Sequence, residues 1–232
     1  MKRFLGALQF LTILPIRGST SSPGQAAIFF PITGMLLGAA AGLVCRWTGA
    51  LFALAFLAIA AGCLHEDGLA DVADAFRAGR TPDRILAILK DSRIGTYGAM
   101  ALIATFAIRW QALSQLRVDP VYGLSAALGL SRSAMVVLAA STPSAGDGLG
   151  RMFSAEISRT TCGLVVVQAV ALCFIAGWRY AVPLIAATAL TIAAARAYFI
   201  RRIGGANGDC LGATCQAVET VNLVILSCHL SF

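Results

Sequence analysis

Asp67, Asp71 and Asp74 stand at i, i+4 and i+7 in the run Leu64-His65-Glu66-Asp67-Gly68-Leu69-Ala70-Asp71-Val72-Ala73-Asp74. On a helix this spacing puts three carboxylates on one face. Left unpaired, such acids repel and raise one another's pKa, a conflict that a hard divalent cation removes. Magnesium suits the arrangement, because it takes one or two carboxylates and completes its shell with water and substrate phosphate oxygens. The opposite face offers Leu69, Val72, Ala73 and Phe76 for packing. A solvated acidic face is the plainer reading. Against it stand the register of the three Asp, the apolar stretch before them and the basic stretch after them.

That basic stretch holds Arg77, Arg80, Arg84, Lys90 and Arg93, donors suited to phosphate oxygens. Arg80 and Arg84 also read as ordinary topology signals. The segment Lys90-Asp91-Ser92-Arg93-Ile94-Gly95-Thr96-Tyr97-Gly98 is richer in polar groups than topology requires. It opens an apolar stretch whose first backbone N–H groups and helix dipole can bind an anion. His65 is a candidate general base, since imidazole titrates near neutral pH, or an interfacial hydrogen bonder.

A second pole lies at Gly204-Gly205-Ala206-Asn207-Gly208-Asp209-Cys210, where glycines permit close backbone approach to a ligand. Glu219 and Arg132 fall inside apolar stretches, and charges placed there are functional candidates by default. An ion pair between these two that fixes helix packing is the alternative. His229 reads as structural.

Something must position these groups, and the composition says what kind of scaffold does so. Charged residues make up only 12% of the chain, against about 25% in soluble domains, while 58% of residues are hydrophobic. The chain therefore reads as all-α, a polytopic transmembrane helix bundle of about six to eight membrane-embedded helices in a single domain. Apolar stretches cover residues 27–45, 50–64, 95–113, 121–140, 161–177, 181–200 and 211–230, and several approach the length of about 20 residues that a span needs. Residues 4–16 are too few to cross comfortably and lack a small-x-small cleavage site, so they read as a retained interfacial or re-entrant helix. The seven cysteines show no CxxC pair and read as small apolar residues.

A net charge of +7 is compatible with nucleic acid, but the basic residues form no dense run interleaved with aromatics, so no nucleic-acid partner is expected. They instead orient the bundle. With residues 65–93 on the cytoplasmic side, Lys2, Arg3, Arg17, Arg77, Arg80, Arg84, Lys90, Arg93, Arg151, Arg159, Arg201 and Arg202 lie inside. Only Arg46, Arg117 and Arg179 lie outside, and Arg109, Arg132 and Arg196 fall within spans. The same alternation gathers segments 65–93, 143–160 and 201–209 on one cytoplasmic face.

Taken in order, these segments resemble the cobalamin synthase, or adenosylcobinamide-GDP ribazoletransferase, family. The resemblance is carried by Gln9-Phe10-Leu11-Thr12 with Pro15, Phe30-Pro31 with Gly34 and Gly38, and Leu64 to Asp74. Asp91-Ser92-Arg93-Ile94-Gly95 with Gly98, Ser131-Arg132, and Gly204 to Ala213 complete it. Glu66 stands where the family has an apolar residue, Ala75-Phe76 where a Gly is usual, and Asn207 where Thr is common.

The resemblance implies transfer of α-ribazole, or its 5′-phosphate, onto adenosylcobinamide-GDP with release of GMP, using Mg2+ at the cell inner membrane. It implies magnesium on Asp67, Asp71 and Asp74, with Asp209 holding a second metal or orienting the ribazole hydroxyl, and His65 or a carboxylate as base. Asp91, Ser92, Arg93, Arg132, Gly204, Gly205, Asn207, Gly208 and Glu219 are then the expected substrate-binding residues. The partners are these two small molecules and membrane lipid, and a homo-oligomer is compatible with the sequence. Physics alone leaves two other readings open: a membrane diphosphate transferase of the prenyl or CDP-alcohol type, and a cation transporter. A transporter would place its acids at the bilayer midplane in repeat-related spans, whereas here only Glu219 is deep.

Overall fold

A computed structural model describes residues 1–16, 21–146 and 148–229. Arg17, counted above among the inner basic residues, and Leu230, the end of the last apolar stretch, lie outside the described residues. The described residues form helices α1 (Lys2–Leu11), α2 (Pro23–Ala26), α3 (Phe30–Thr48), α4 (Ala50–Ala60), α5 (Leu64–Ala78) and α6 (Pro82–Ile88). The remaining helices are α7 (Thr96–Ser114), α8 (Pro120–Ser141), α9 (Leu149–Ala155), α10 (Arg159–Cys173), α11 (Trp178–Ile203) and α12 (Gly208–Ser227). A 3-10 turn, Ala27–Phe29, joins α2 to α3 into one continuous rod.

Each apolar stretch of the sequence has become a helix, but fewer can cross a bilayer than the six to eight expected. Among the described residues four are long and apolar enough: Pro23–Thr48, Pro120–Ser141, Trp178–Ile203 and Gly208–Ser227. A fifth span exists only if α4 and α5, bent by 89° at their junction, count as one. The bend has a local cause. Gly62 and Cys63 both adopt left-handed backbone (φ 62° and 55°), a conformation in which no helix continues. The 15-residue α10 falls below spanning length. The three aspartates of α5 therefore stand beyond the bend, outside the four spans.

The central packing is between α3 and α8. Gly34, Gly38 and Gly42 recur every four residues, so they line one stripe of α3. A Cβ added to them would lie 2.4 Å from the Leu128 carbonyl oxygen, 2.3 Å from that of Leu124 and 2.4 Å from the Val121 Cα. Backbone thus meets backbone, the small-residue packing that membrane helices favour. At one end of the bundle Arg46 pairs with Asp119, and the Arg117 N–H donates to the Leu226 carbonyl. The opposite end carries α5, the start of α7, α9 and the start of α12, and these elements hold the chemistry.

Gly38→Val is expected to lower the melting temperature of the detergent-solubilised protein, because overpacking typically costs about 1–3 kcal/mol. Gly163→Ala, at a glycine with nothing within 4 Å, should leave the melting temperature unchanged or slightly raised.

Candidate active site

The site is assembled by a close crossing of α5 and α12. Gly212 lies 3.5 Å from the Cα atoms of Gly68 and His65, measured from the position its Cβ would take. A Cβ on Gly68 would come within 2.9 Å of the Asp209 carbonyl oxygen. Two glycines therefore let the helices meet backbone to backbone and bring Asp67 and Asp71 to the side of Asp209. The Asn207 Oδ1 accepts the Cys210 N–H and caps α12, and its Nδ2 donates to the Asp209 Oδ2 at 2.8 Å. That second bond fixes where the Asp209 carboxylate points.

Asp74 does different work. Its two carboxylate oxygens accept the Gly95 and Gly98 backbone N–H groups at 2.7 and 2.9 Å. An acid at the N-terminus of α7 satisfies orphan donors and complements the helix dipole. The neighbouring glycines are needed for room, since a Cβ on Gly98 would sit 2.3 Å from an Asp74 oxygen. The anion that the first turn of α7 was expected to bind is thus a side chain of this protein. Asp74 is committed, and Asp67, Asp71 and Asp209 remain as the carboxylates facing one another. The Asp71 carboxyl is pushed up to about 6, first by burial and then by the charges of Asp67, Asp209 and Asp74.

No three His, Cys, Asp or Glu among the described residues stand close enough to hold a metal ion between them. A closed cage on Asp67, Asp71 and Asp74 is therefore absent. Magnesium does not require one: one or two carboxylates suffice when water and substrate phosphates supply the rest. The Asp67, Asp71 and Asp209 carboxylates offer hard oxygen donors and an unrelieved repulsion, and this donor set fits that ion.

His65 is 1% exposed, and neither ring nitrogen has a hydrogen-bond partner. Burial, and then the charge of Arg132, lower its pKa well below the ordinary value, so the ring is neutral at physiological pH.

Arg132 and Glu219 form a buried ion pair, the alternative that the sequence left open. Glu219 accepts from Arg132 Nη1 at 2.6 Å and from Arg109 Nη1 at 3.0 Å. Arg109 also lies 3.7 Å from Glu66, whose Oε1 accepts from Gln216 Nε2 at 3.0 Å. Helices α5, α7, α8 and α12 are thereby tied together, and the family-atypical Glu66 has a structural partner set. Neither Arg132 nor Glu219 lines the cavity described below. In this structure the two side chains are engaged with one another, in the pairing that fixes helix packing. Glu219, neutralised from two sides, also lacks the open carboxylate that a transported cation would need.

The other expected binding residues divide. Arg93 donates to Asp91 within their own exposed loop, at 2.6 and 2.9 Å, and holds the Asp91 carboxyl down to about 2. Ser92 is exposed beside them. Gly204, at φ 76°, ends α11. Gly205 presses on the Pro143 carbonyl, 2.2 Å from where a Cβ would be. The glycine-rich segment therefore approaches its own chain, and a bridge between Ser144 and Ala206 stitches the two loops together.

Between these elements lies a cavity of about 380 Å³, within the range of small-molecule sites. Its polar side is formed by His65, Asp67, Asn207 and Asp209, with Lys90 and Arg151 adding positive charge, and Gly208 beside them. Its apolar side includes Phe10, Leu86, Met135, Phe153 and Leu211. Phe10, Met135 and Phe153 carry no spacing signal, because they come from three separate helices, and sequence reasoning missed them.

An apolar bundle that opens at one end into a cavity with carboxylates and cations along one wall is the architecture of a polytopic integral membrane enzyme. The chain matches the family model of cobalamin-5-phosphate synthase over residues 3–227 and belongs to that family. Curated relatives named adenosylcobinamide-GDP ribazoletransferase agree. The protein of Mesorhizobium japonicum is 37% identical, covering 97% of this chain and 92% of its own. Those of Vibrio cholerae and Escherichia coli are each 34% identical, covering 97% of this chain and 93% and 99% of theirs. No solved structure matches.

Two measurements follow from the geometry. A raised folded-state pKa at Asp71 means that the folded protein binds that proton more tightly than the unfolded chain. Stability therefore falls as pH rises from about 4 to about 6, and stays lower above that. In metal-free protein, Asp71→Asn should raise the melting temperature at pH 8 and leave it unchanged at pH 4. Glu219→Gln leaves the buried Arg132 guanidinium without its acid and Arg109 with Glu66 alone, and should cost about 3–5 kcal/mol in thermal or denaturant unfolding. Asp91→Asn, at the exposed loop pair, should not move the transition.

Proposed function

We propose that this chain joins α-ribazole, or its 5′-phosphate, to adenosylcobinamide-GDP and releases GMP at the cytoplasmic face of the inner membrane. The observation that carries the reading is the meeting of Asp67 and Asp209 across the Gly68–Gly212 crossing, in one cavity, in a chain akin to named ribazoletransferases. In the reaction a ribose hydroxyl attacks the phosphorus next to the cobinamide arm. A new O–P bond forms, the diphosphate P–O bond breaks, and GMP leaves with the bridging oxygen.

The chain's own residues supply positioning and charge. Asn207 holds Asp209 toward the cavity, and the α7 anchor on Asp74 fixes the far end of α5. Lys90 and Arg151, beside the polar wall, draw phosphate oxygens to it. His65 is neutral, buried and on the wall, and accepts the hydroxyl proton. Asp67 and Asp209, with Asp71 beside them, are the two carboxylates that would hold magnesium, whose charge when bound offsets that developing on the diphosphate and departing GMP.

GMP release and cobalamin formation by purified protein, given both substrates and Mg2+, should cease with EDTA. Asp67→Asn and Asp209→Asn should each lower kcat at least about 100-fold, the lower range for removing a group that stabilises transition-state charge. Absence of product from folded wild-type protein with Mg2+ would refute the reaction. Product that persists in EDTA would refute the metal role.

A further inference from the structure

Phe10 of α1, Phe30 of α3 and Phe153 of α9 form a stack of nearly parallel rings. Their centroids lie 5.6 Å apart for Phe10 and Phe30, 5.4 Å for Phe30 and Phe153, and 6.4 Å for Phe10 and Phe153, with interplanar angles of 16°, 19° and 6°. Two of these rings, Phe10 and Phe153, line the cavity, joined there by Met135 and Leu86. The same cavity is also lined by Asp67, Asp209 and His65. One volume of about 380 Å³ thus offers both phenyl rings and carboxylates to a ligand.

We infer that the Phe10–Phe153 wall receives the aromatic base of the acceptor nucleoside, and that it sets which lower-ligand base is accepted. The inference rests on the ribazoletransferase reading and assigns the parts of its substrates. α-Ribazole carries a dimethylbenzimidazole, a flat base whose methylated edge has no hydrogen-bonding groups, attached to a polar ribose. It therefore has one part suited to phenyl rings and one suited to carboxylates and an imidazole, and the cavity is lined by both. Base against phenyl rings leaves the ribose hydroxyls at Asp67, Asp209 and His65, where the attack must start.

The other groups in the reaction fit these rings poorly. Guanine set against these phenyl rings would have its amide and amino edge beside side chains that offer no hydrogen bond, which carries a desolvation cost. The corrin is a macrocycle edged with amides, far larger than a cavity at the small end of the ligand-site range. Stacking also suits selection among bases, because it reads the shape and π-face of a ring and not its hydrogen-bonding edge. On this account α1 is part of the acceptor site, since it supplies Phe10.

The test measures α-ribazole binding to the full-length protein in detergent, with KM values for both substrates. Phe153→Leu and the milder Phe10→Leu keep an apolar side chain and remove the ring. Each should weaken α-ribazole binding and raise its KM about tenfold, in the lower range for a lost base–aromatic stack. The KM for adenosylcobinamide-GDP should change less than about twofold. The same variants should also narrow the preference for α-ribazole over a purine riboside, a change that a merely structural role for the rings would not produce. Folded variants that bind α-ribazole as wild type does, or that lose both substrates equally, would overturn the wall assignment. Wild-type protein that binds no α-ribazole, with or without adenosylcobinamide-GDP, would instead overturn the transferase reading, and the wall assignment with it.

Discussion

The site depends on the approach of α5 to α12. At Gly68 and Gly212 the helices are separated by little more than their own backbones, and any side chain at Gly68 would strike the Asp209 carbonyl. This contact lets carboxylates from distant parts of the chain occupy one wall. It also creates the difficulty the site has to manage, because the charges of Asp67, Asp71 and Asp209 then repel one another. Burial, and then those neighbouring charges, raise the Asp71 pKa. The crossing is pinned at both ends. Asp74 grips the first turn of α7 at one end, and Glu66 reaches Gln216 and Arg109 toward the other.

Charge inside the bundle follows the same logic with the opposite outcome. Glu219 lies between Arg132 and Arg109, so an acid that would be prohibitive alone becomes a tie between helices. Two kinds of carboxylate therefore coexist. Those with fixed protein partners, Asp74 and Glu219, hold the scaffold. Asp67, Asp71 and Asp209 instead lie near one another, where their charges repel. Partnering, more than position in the sequence motif, separates the acids that tie helices together from the rest.

The helices were legible because long apolar runs have few alternatives in a chain so poor in charge. The boundaries of α7, α8 and α11 fall within a few residues of those runs. The span count was not legible, since hydropathy does not reveal that Gly62 and Cys63 turn left-handed and set the short apolar α4 at 89° to α5. The Asp triplet was correctly read as one helical face. What spacing could not show is that the third acid is taken by backbone N–H groups from a loop twenty residues on. The resemblance to a family marked Gly204 to Gly208 as a ligand loop, yet Gly205 packs on Pro143 and only Asn207 and Gly208 reach the cavity. The aromatic wall left no local trace, because α1, α8 and α9 meet only in the folded bundle.

Mn2+ bound in place of Mg2+, followed by electron paramagnetic resonance with adenosylcobinamide-GDP present, tests the central claim most directly. The account predicts that Asp67→Asn and Asp209→Asn each abolish the ordered Mn2+ signal, whereas Asp74→Asn retains it, with the start of α7 loosened. A signal intact in Asp209→Asn and lost only when the i, i+4, i+7 set is broken at Asp74 would contradict it. The metal would then belong to α5 alone, and the α5–α12 crossing would not be what builds the site.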